Sequence, residues 1–590
     1  MIESELVGDV RESAHRGQDD LLSAGLGLDG LRAPPAAFAD AARPTADEVR
    51  RRAIHASWTG IADLGPLGGY GVVYGGVPNV PGREFIAFAA LPQAGVRADT
   101  RSADRASHRV LAQMPDAFDA RARCLVVAPS SGSRGVYGAI ALAGAWALPR
   151  GGAVVYTDKG AGSGWFDLDS GSGVALDGTR AQRGEATLEF QPDAGAATHG
   201  VAVKHAHSGA NPEADWGRHV LQAARFGLAM LDRAYPQLAP FTTANTRIIA
   251  AGLSNGGGAV LQAAGIDDAH LLAGVVALEP NVHVEGRGRA LYDYATEAAL
   301  LLPCALADAR FDDAPFARAQ GALPPAWLAR CAHLRETGLL DGDDPKAQAR
   351  SALERLHANG WRDETIATAA SSTAFDLWRA IGATYASAYL RAPAGAMPCG
   401  FAFGALSASG LPAPADAATR AAWWSDASGI PPGAGVWLLG GVEASADPTA
   451  PGALGLRALW DGDGDGAHAL RASVAATAAR IPRAGLPILV AQGEQDGLLP
   501  IGFSSAPYVD ALREAGRAPT YWRVPHEQHF DGFLALPGFG ERHVPLLPYG
   551  HAALDALWAH LDAGAPLPAS RRFVTRPRGT AALDRGMLGW

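Results

Sequence analysis

The chain has 590 residues, a formal net charge of −10, and 48% apolar against 19% charged residues. That length exceeds one ordinary core and implies two units or one domain with a large insertion. The composition excludes a disordered chain, and the acidic balance with no basic stripe excludes a phosphate-backbone binder.

No nucleic-acid partner is therefore expected, and no membrane partner either, because no run of about 18 apolar residues occurs. The opening residues, Met1 to Leu6, lack the basic and apolar regions of a secretory signal, so the chain as written is expected in the cytoplasm unless a signal has been removed. Lysine is nearly replaced by arginine (only Lys159, Lys204 and Lys346 occur), which reads as compositional bias. Cys124 opens an apolar run and reads as a buried thiol. Cys304, Cys331 and Cys399 share one region, which allows a single disulfide among them. The cysteines lack the C-x-x-C spacing of a zinc site.

Taken along the chain, Gly71–Tyr74 and Glu84–Ala90 read as early antiparallel strands. Cys124–Ala128, Ala153–Tyr156, Arg247–Ala251 and Ala273–Leu278 follow, each apolar enough for burial on both faces. A helix from Glu213 to Tyr235 carries Trp216, Val220, Ala223, Leu228 and Leu231 at roughly helical spacing. Pro487–Ala491 and Thr520–Val524 supply the last strands, and a helix near His551–Leu561 closes the chain. Strands alternating with helices specify a mostly parallel, doubly wound α/β sheet. Segment 281–485 is far too long for a loop and shows helical patterns at Ala349–Ala358 and Asp363–Leu390, but no series of core strands. Residues 1–280 and 486–590 are therefore assigned to one catalytic unit, and 281–485 to a mainly helical lid above the strand ends. No fixed-period repeat is present.

The apolar run Ile248–Ala251 leads into Gly252-Leu253-Ser254-Asn255-Gly256, and an alanine-rich helical pattern follows from Ala259 to Ala264. Strand, G-x-S-x-G and helix in that order form the nucleophile elbow of an α/β-hydrolase, a strained turn that lifts a serine hydroxyl above the sheet. The bland alternative is a glycine-rich helix start with a capping serine.

A serine hydroxyl at neutral pH needs a base, and the base an orienting carboxylate, in the chain order Ser, acid, His. Just past Pro487–Ala491, Asp496 precedes Leu498, Leu499 and Pro500 and is chosen as the acid. Glu494 reads as a solvated neighbour, and Glu279 is the outside alternative. Past the final strand comes Pro525-His526-Glu527-Gln528-His529-Phe530-Asp531, where His529 is chosen as base and His526 is its competitor. Oxyanion donors are expected from the N–H of Asn255 and from the loop Pro129–Gly135, with Ser131 and Gly132 as candidates.

Two patterns invite over-reading. Asp461-Gly462-Asp463-Gly464-Asp465-Gly466 begins like a calcium loop, but its twelfth position is Ala472, not glutamate, so an acidic turn is expected. Lys204-His205-Ala206-His207-Ser208 offers two imidazoles on one face of an extended segment, without an evident third zinc ligand. No metal and no cofactor are expected.

Several stretches together resemble the 3-hydroxybutyrate oligomer hydrolase family of α/β-hydrolases. They are Asp19–Gly27, Ser130–Gly138, Tyr156–Gly160, Lys204–Ser208, Ser254–Gly258 and Gln528–Asp531. The resemblance implies a serine esterase that cleaves soluble (R)-3-hydroxybutyrate oligomers to monomer, downstream of a polyester depolymerase, with Ser254 as nucleophile. Asp496 and His529 fit its pattern. The partner implied is thus a small-molecule ester, and the family location is extracellular, which the lack of a signal here puts in question. Another carboxylesterase with the same three residues is the alternative. No cysteine neighbours Ser254 or His529, unlike the tannase and feruloyl esterase group.

Overall fold

A computed structural model describes residues 2–71, 73–92, 107–192, 197–424 and 435–590. Ten strands among them form one sheet, labelled here in chain order. They are β1 Leu6–His15, β2 Gly82–Ala90, β3 Ser107–Pro115, β4 Cys124–Pro129, β5 Ala153–Thr157, β6 Arg247–Leu253, β7 Gly274–Leu278, β8 Ile488–Gly493, β9 Thr520–Val524 and β10 Arg571–Arg572. Their spatial order is β1-β2-β3-β5-β4-β6-β7-β8-β9-β10. The first three pair antiparallel with their neighbours, and every pairing from β5 to β10 is parallel.

Alternation along each strand divides the core into two layers, because successive side chains point to opposite faces. Leu125, Val127, Ile248 and Ala250 pack under the helix Pro212–Ala234 through Trp216, Val220 and Leu231. Val126, Ala128, Ile249 and Ala251 face the other way, against Ile140, Leu142 and the closing helix Leu547–Ala563. Helices on both faces of a largely parallel sheet are the architecture that the strand and helix alternation predicts. The chain steps from β4 to β5 on one side and to β6 on the other, so the order reverses at β4. The loops that leave β4 and β6 flank this reversal, where open α/β sheets form their ligand crevice.

Several features depart from the sequence reading. Gly71, Val73 and Tyr74 form a turn bridged by Tyr70 and Gly75, and Val72 lies outside the described residues. Strands β1 and β3 do not stand out locally: β3 carries Arg109 and Gln113, both buried and bonded to Glu189 and Tyr156 from distant positions. A four-stranded antiparallel sheet, Trp165–Asp167, Ser172–Val174, Arg180–Gln182 and Val201–Val203, sits between β5 and the helix Pro212–Ala234. The predicted helix Asp363–Leu390 is two helices, Asp363–Ala374 and Leu377–Tyr389, broken at Asp376 with φ 56°.

Segment 281–485 supplies most of a second core from helices including Leu291–Ala305, Pro325–Glu336 and Pro345–Ala358. It also holds a three-stranded sheet, Phe401–Leu406 with Pro412–Ala413 and Trp437–Gly440, which the sequence reading did not foresee. Trp165, Val201 and Val203 of the four-stranded sheet join this core, so the layer above the main sheet draws on residues outside 281–485. Cys304 and Cys331 form a disulfide between the first two of these helices, while Cys399 and the buried Cys124 are free.

Candidate active site

Strand β6 delivers Ser254 in a conformation that few residues adopt, with φ 57° and ψ −126°. Such strain persists only where the surroundings hold it, and it concentrates at functional positions. Gly252 and Gly256 make the turn feasible. A Cβ on Gly252 would lie 2.3 Å from the Gly256 carbonyl oxygen, and one on Gly256 2.6 Å from that of Pro129. The helix Asn255–Ile266 starts directly afterwards, yet the Ser254 hydroxyl does not cap it.

Instead, Ser254 Oγ lies 3.0 Å from His529 Nε2, and His529 Nδ1 lies 3.0 Å from Asp496 Oδ2. Asp496 follows β8 and is fully buried. Its Oδ1 accepts the backbone N–H groups of Leu498 and Leu499 at 2.9 and 2.7 Å, and Gln492 Nε2 donates to Oδ2 at 3.2 Å. These bonds fix the carboxylate that in turn fixes the imidazole. Glu279, at the end of β7, brings Oε2 to 3.4 Å from the same His529 Nδ1. Burial lowers the affinity of His529 for a proton, but Asp496 and Glu279 outweigh it and hold the imidazole up at about 9. A hydroxyl, an imidazole and a carboxylate in this series can pass the hydroxyl proton to the ring while the carboxylate steadies the cation formed.

The loop after β4 carries Ser131 and Gly132 to the same cavity as Ser254 and Asn255. Lys159, fully buried, fastens this loop by donating from Nζ to the Gly132 carbonyl at 2.5 Å and to Ser130 Oγ at 3.1 Å. Burial pulls the Lys159 ammonium down to about 7 despite nearby Asp158 and Glu213. Ser133 Oγ meets His205 Nδ1 at 2.5 Å, and His205 Nε2 is paired with buried Glu213. The cavity measures about 720 Å³, a size suited to a small organic ligand. Apolar walls come from Ile61, Leu253 and Phe530 and, out of segment 281–485, from Phe375, Leu377 and Trp437.

The other residues weighed from sequence lie elsewhere. His526 bonds Thr575 Oγ1 at 2.9 Å and does not line this cavity. Glu494 pairs with Arg572 at 2.7 Å. Lys204–His207 is a helical turn rather than an extended segment, so His205 and His207 part company. His207 Nδ1 accepts the Val203 N–H, and Lys204 pairs with Asp158 and Glu189. The stretch Asp461–Gly466 joins the helices Ala450–Asp461 and Asp465–Ala475, with Asp461 paired to Arg457. Sequence reasoning passed over Lys159 and Tyr385, whose hydroxyl accepts from Asn255 Nδ2 at 2.9 Å. Lys159 lies in one of the resembling stretches, but Tyr385 carries no local motif.

The doubly wound sheet, with a strained serine after a central strand and cavity above the strand ends, defines an α/β-hydrolase. Among sequence families, the 3HB-oligomer hydrolase (3HBOH) profile matches residues 3–586, and the chain belongs to that family. The D-(-)-3-hydroxybutyrate oligomer hydrolase of Cupriavidus metallidurans is 38% identical over 632 residues, 96% of this chain and 85% of that protein. Its counterpart in Paracidovorax citrulli is 38% identical over 97% of this chain and 89% of its own length. Among solved structures, feruloyl esterase B from Aspergillus oryzae aligns over 87% of this chain and 85% of that one. At 13% identity and TM-score 0.34 that likeness is too loose to carry an argument.

Proposed function

We propose that this protein is a serine esterase that hydrolyses soluble (R)-3-hydroxybutyrate oligomers to the monomer. The observation that carries the reading is the hydrogen-bonded series Ser254, His529 and Asp496 at one cavity of a chain in this family. Ser254 attacks the ester carbonyl as His529 removes its proton, and Asp496 holds the ring and the charge it gains. The Asn255 N–H and the Ser131–Gly132 loop receive the oxyanion. His529 then returns the proton to the leaving hydroxyl, and a water activated by the same imidazole releases the acyl group. Segment 281–485 serves as a lid that walls the acyl chain from solvent. The chemistry requires neither metal nor cofactor. Product analysis with 3-hydroxybutyrate dimer, trimer and insoluble polymer tests the reading. Monomer release from dimer and trimer is expected, and none from either would refute it.

A further inference from the structure

His529 is faced by more carboxyl groups than the proposed series uses. Glu279 and Glu527 are both buried, at 1% and 0% exposure. Glu279 Oε2 stands 3.4 Å from His529 Nδ1. Among the described residues its Oε1 has no hydrogen-bond donor, and the Glu527 carboxyl, beside the Gly493 backbone N–H, has no side-chain N–H donor. The two carboxyl groups instead bear on each other, one reaching in from the end of β7 and the other from the loop after β9. Two facing carboxyl oxygens satisfy each other when a proton lies between them, one carboxyl donating O–H and the other accepting. Burial pushes both glutamates well above the usual carboxylate range, helped at Glu279 by the Glu527 charge and at Glu527 by the Asp531 and Asp496 charges, while the hydrogen bond from Glu279 lowers Glu527. The pair thus holds a proton near neutrality. The same surroundings include Asp496, Asp531 and, towards His529, Arg134.

We propose that Glu279 and Glu527 share one proton and act as a movable counter-ion for His529. At rest the proton sits on Glu279, which donates its O–H to the Glu527 carboxylate. When His529 takes the Ser254 proton, the O–H bond of Glu279 breaks and an O–H bond forms on Glu527. The negative charge thereby moves to the carboxylate that touches the imidazolium. Return of the proton from His529 to the leaving alkoxide reverses the shift, so the pair neither gains nor loses a proton over the cycle. Both glutamates are positioning residues that act through His529. The inference rests on the reading of His529 as the base.

The test is the pH dependence of kcat/KM on soluble oligomer for the wild type, Glu279→Gln and Glu527→Gln, with Ser254→Ala as control. Glu279→Gln removes the carboxylate beside the imidazole and is expected to move the acid limb down by about one pH unit. Glu527→Gln removes the neighbouring charge and puts an amide N–H donor beside Glu279, which favours its ionised form, and is expected to move the limb up. Limbs that stay in place, or that move the same way in both variants, overturn the proposal. Where one variant does not fold, NMR titration of His529 in the other gives the same test of sign, and an unshifted titration overturns it. A wild type whose turnover is independent of Ser254 refutes the underlying reading instead, so the two failures are distinct.

Discussion

Asn255 donates its side-chain amide to the Tyr385 hydroxyl at 2.9 Å, which ties the residue after Ser254 to a helix of segment 281–485. Asn255 Oδ1 also accepts from Asn281 Nδ2 at 2.9 Å, so the side chain is held from two directions. The Tyr385 ring meets His205 edge-on at 4.8 Å, and His205 contacts Ser133 in the loop after β4. The upper layer thus grips both places from which oxyanion donors are proposed. Tyr385→Phe leaves a buried amide N–H unpaired, a loss of about 1–3 kcal/mol. A roughly tenfold fall in kcat with little change in KM is expected, equivalent to about 1.4 kcal/mol of barrier. Steady-state kinetics with kcat intact would show that this tie has no part in turnover.

Ser254→Ala is expected to abolish most turnover and leave the fold in place, since among the described residues the removed oxygen hydrogen-bonds only to His529. Binding and the oxyanion donors can sustain a residual rate of about 10³-fold over water. Circular dichroism would check the fold, and near-wild-type ester cleavage would remove Ser254 from the mechanism.

The two loop histidines separate in the same way. His529→Ala takes away the group 3.0 Å from the serine oxygen, whereas His526→Ala removes only a contact to Thr575 at 2.9 Å. Acylation, read from the burst of a chromogenic butyrate ester, is expected to collapse in the first variant. The second should stay within a few-fold of wild type. The reverse ranking would transfer the role of base to His526.

Much of this architecture is legible in the sequence because it follows from local constraints. Strands β4 to β8 are apolar on both faces, and the elbow around Ser254 needs glycine at positions 252 and 256. What escapes local reading depends on partners far along the chain. Arg109 makes β3 look exposed until Glu189 is placed beside it, and the break at Asp376 is invisible in a continuous helical pattern. Glu279 is recognisable as a carboxylate past a strand, but its meeting with Glu527 across 248 positions arises only when β7 and the loop after β9 converge.

The pH profile follows from the charges around His529. A base must be unprotonated to act, and this imidazole is held above its ordinary 6.5, towards about 9, by Asp496 and Glu279 against the opposing effect of burial. The proton shared by Glu279 and Glu527 weakens that pull, so the acid limb of kcat/KM is expected between these two values. Activity should therefore rise as pH climbs from 6.5 towards 9. A rate profile already flat at pH 6.5 would contradict the charge arrangement around the ring.

Substrate form is the last expectation. Ser254 lies in a cavity of about 720 Å³ with walls contributed by Phe375, Leu377 and Trp437 from segment 281–485. A flexible oligomer in solution can thread into such a space, whereas a chain packed in a crystalline polyester surface must first leave its lattice. Binding within the cavity supplies energy that orients the ester over the serine, so loss of the walls should raise KM and lower kcat together. Trp437→Ala, which opens one wall at a partly exposed ring, is expected to weaken both for the trimer while sparing the fold. Fast monomer release from dimer and trimer, with little release from a crystalline suspension, is the expected pattern in product chromatography. Efficient clearing of that suspension by the intact protein would mean that the cavity does not restrict access.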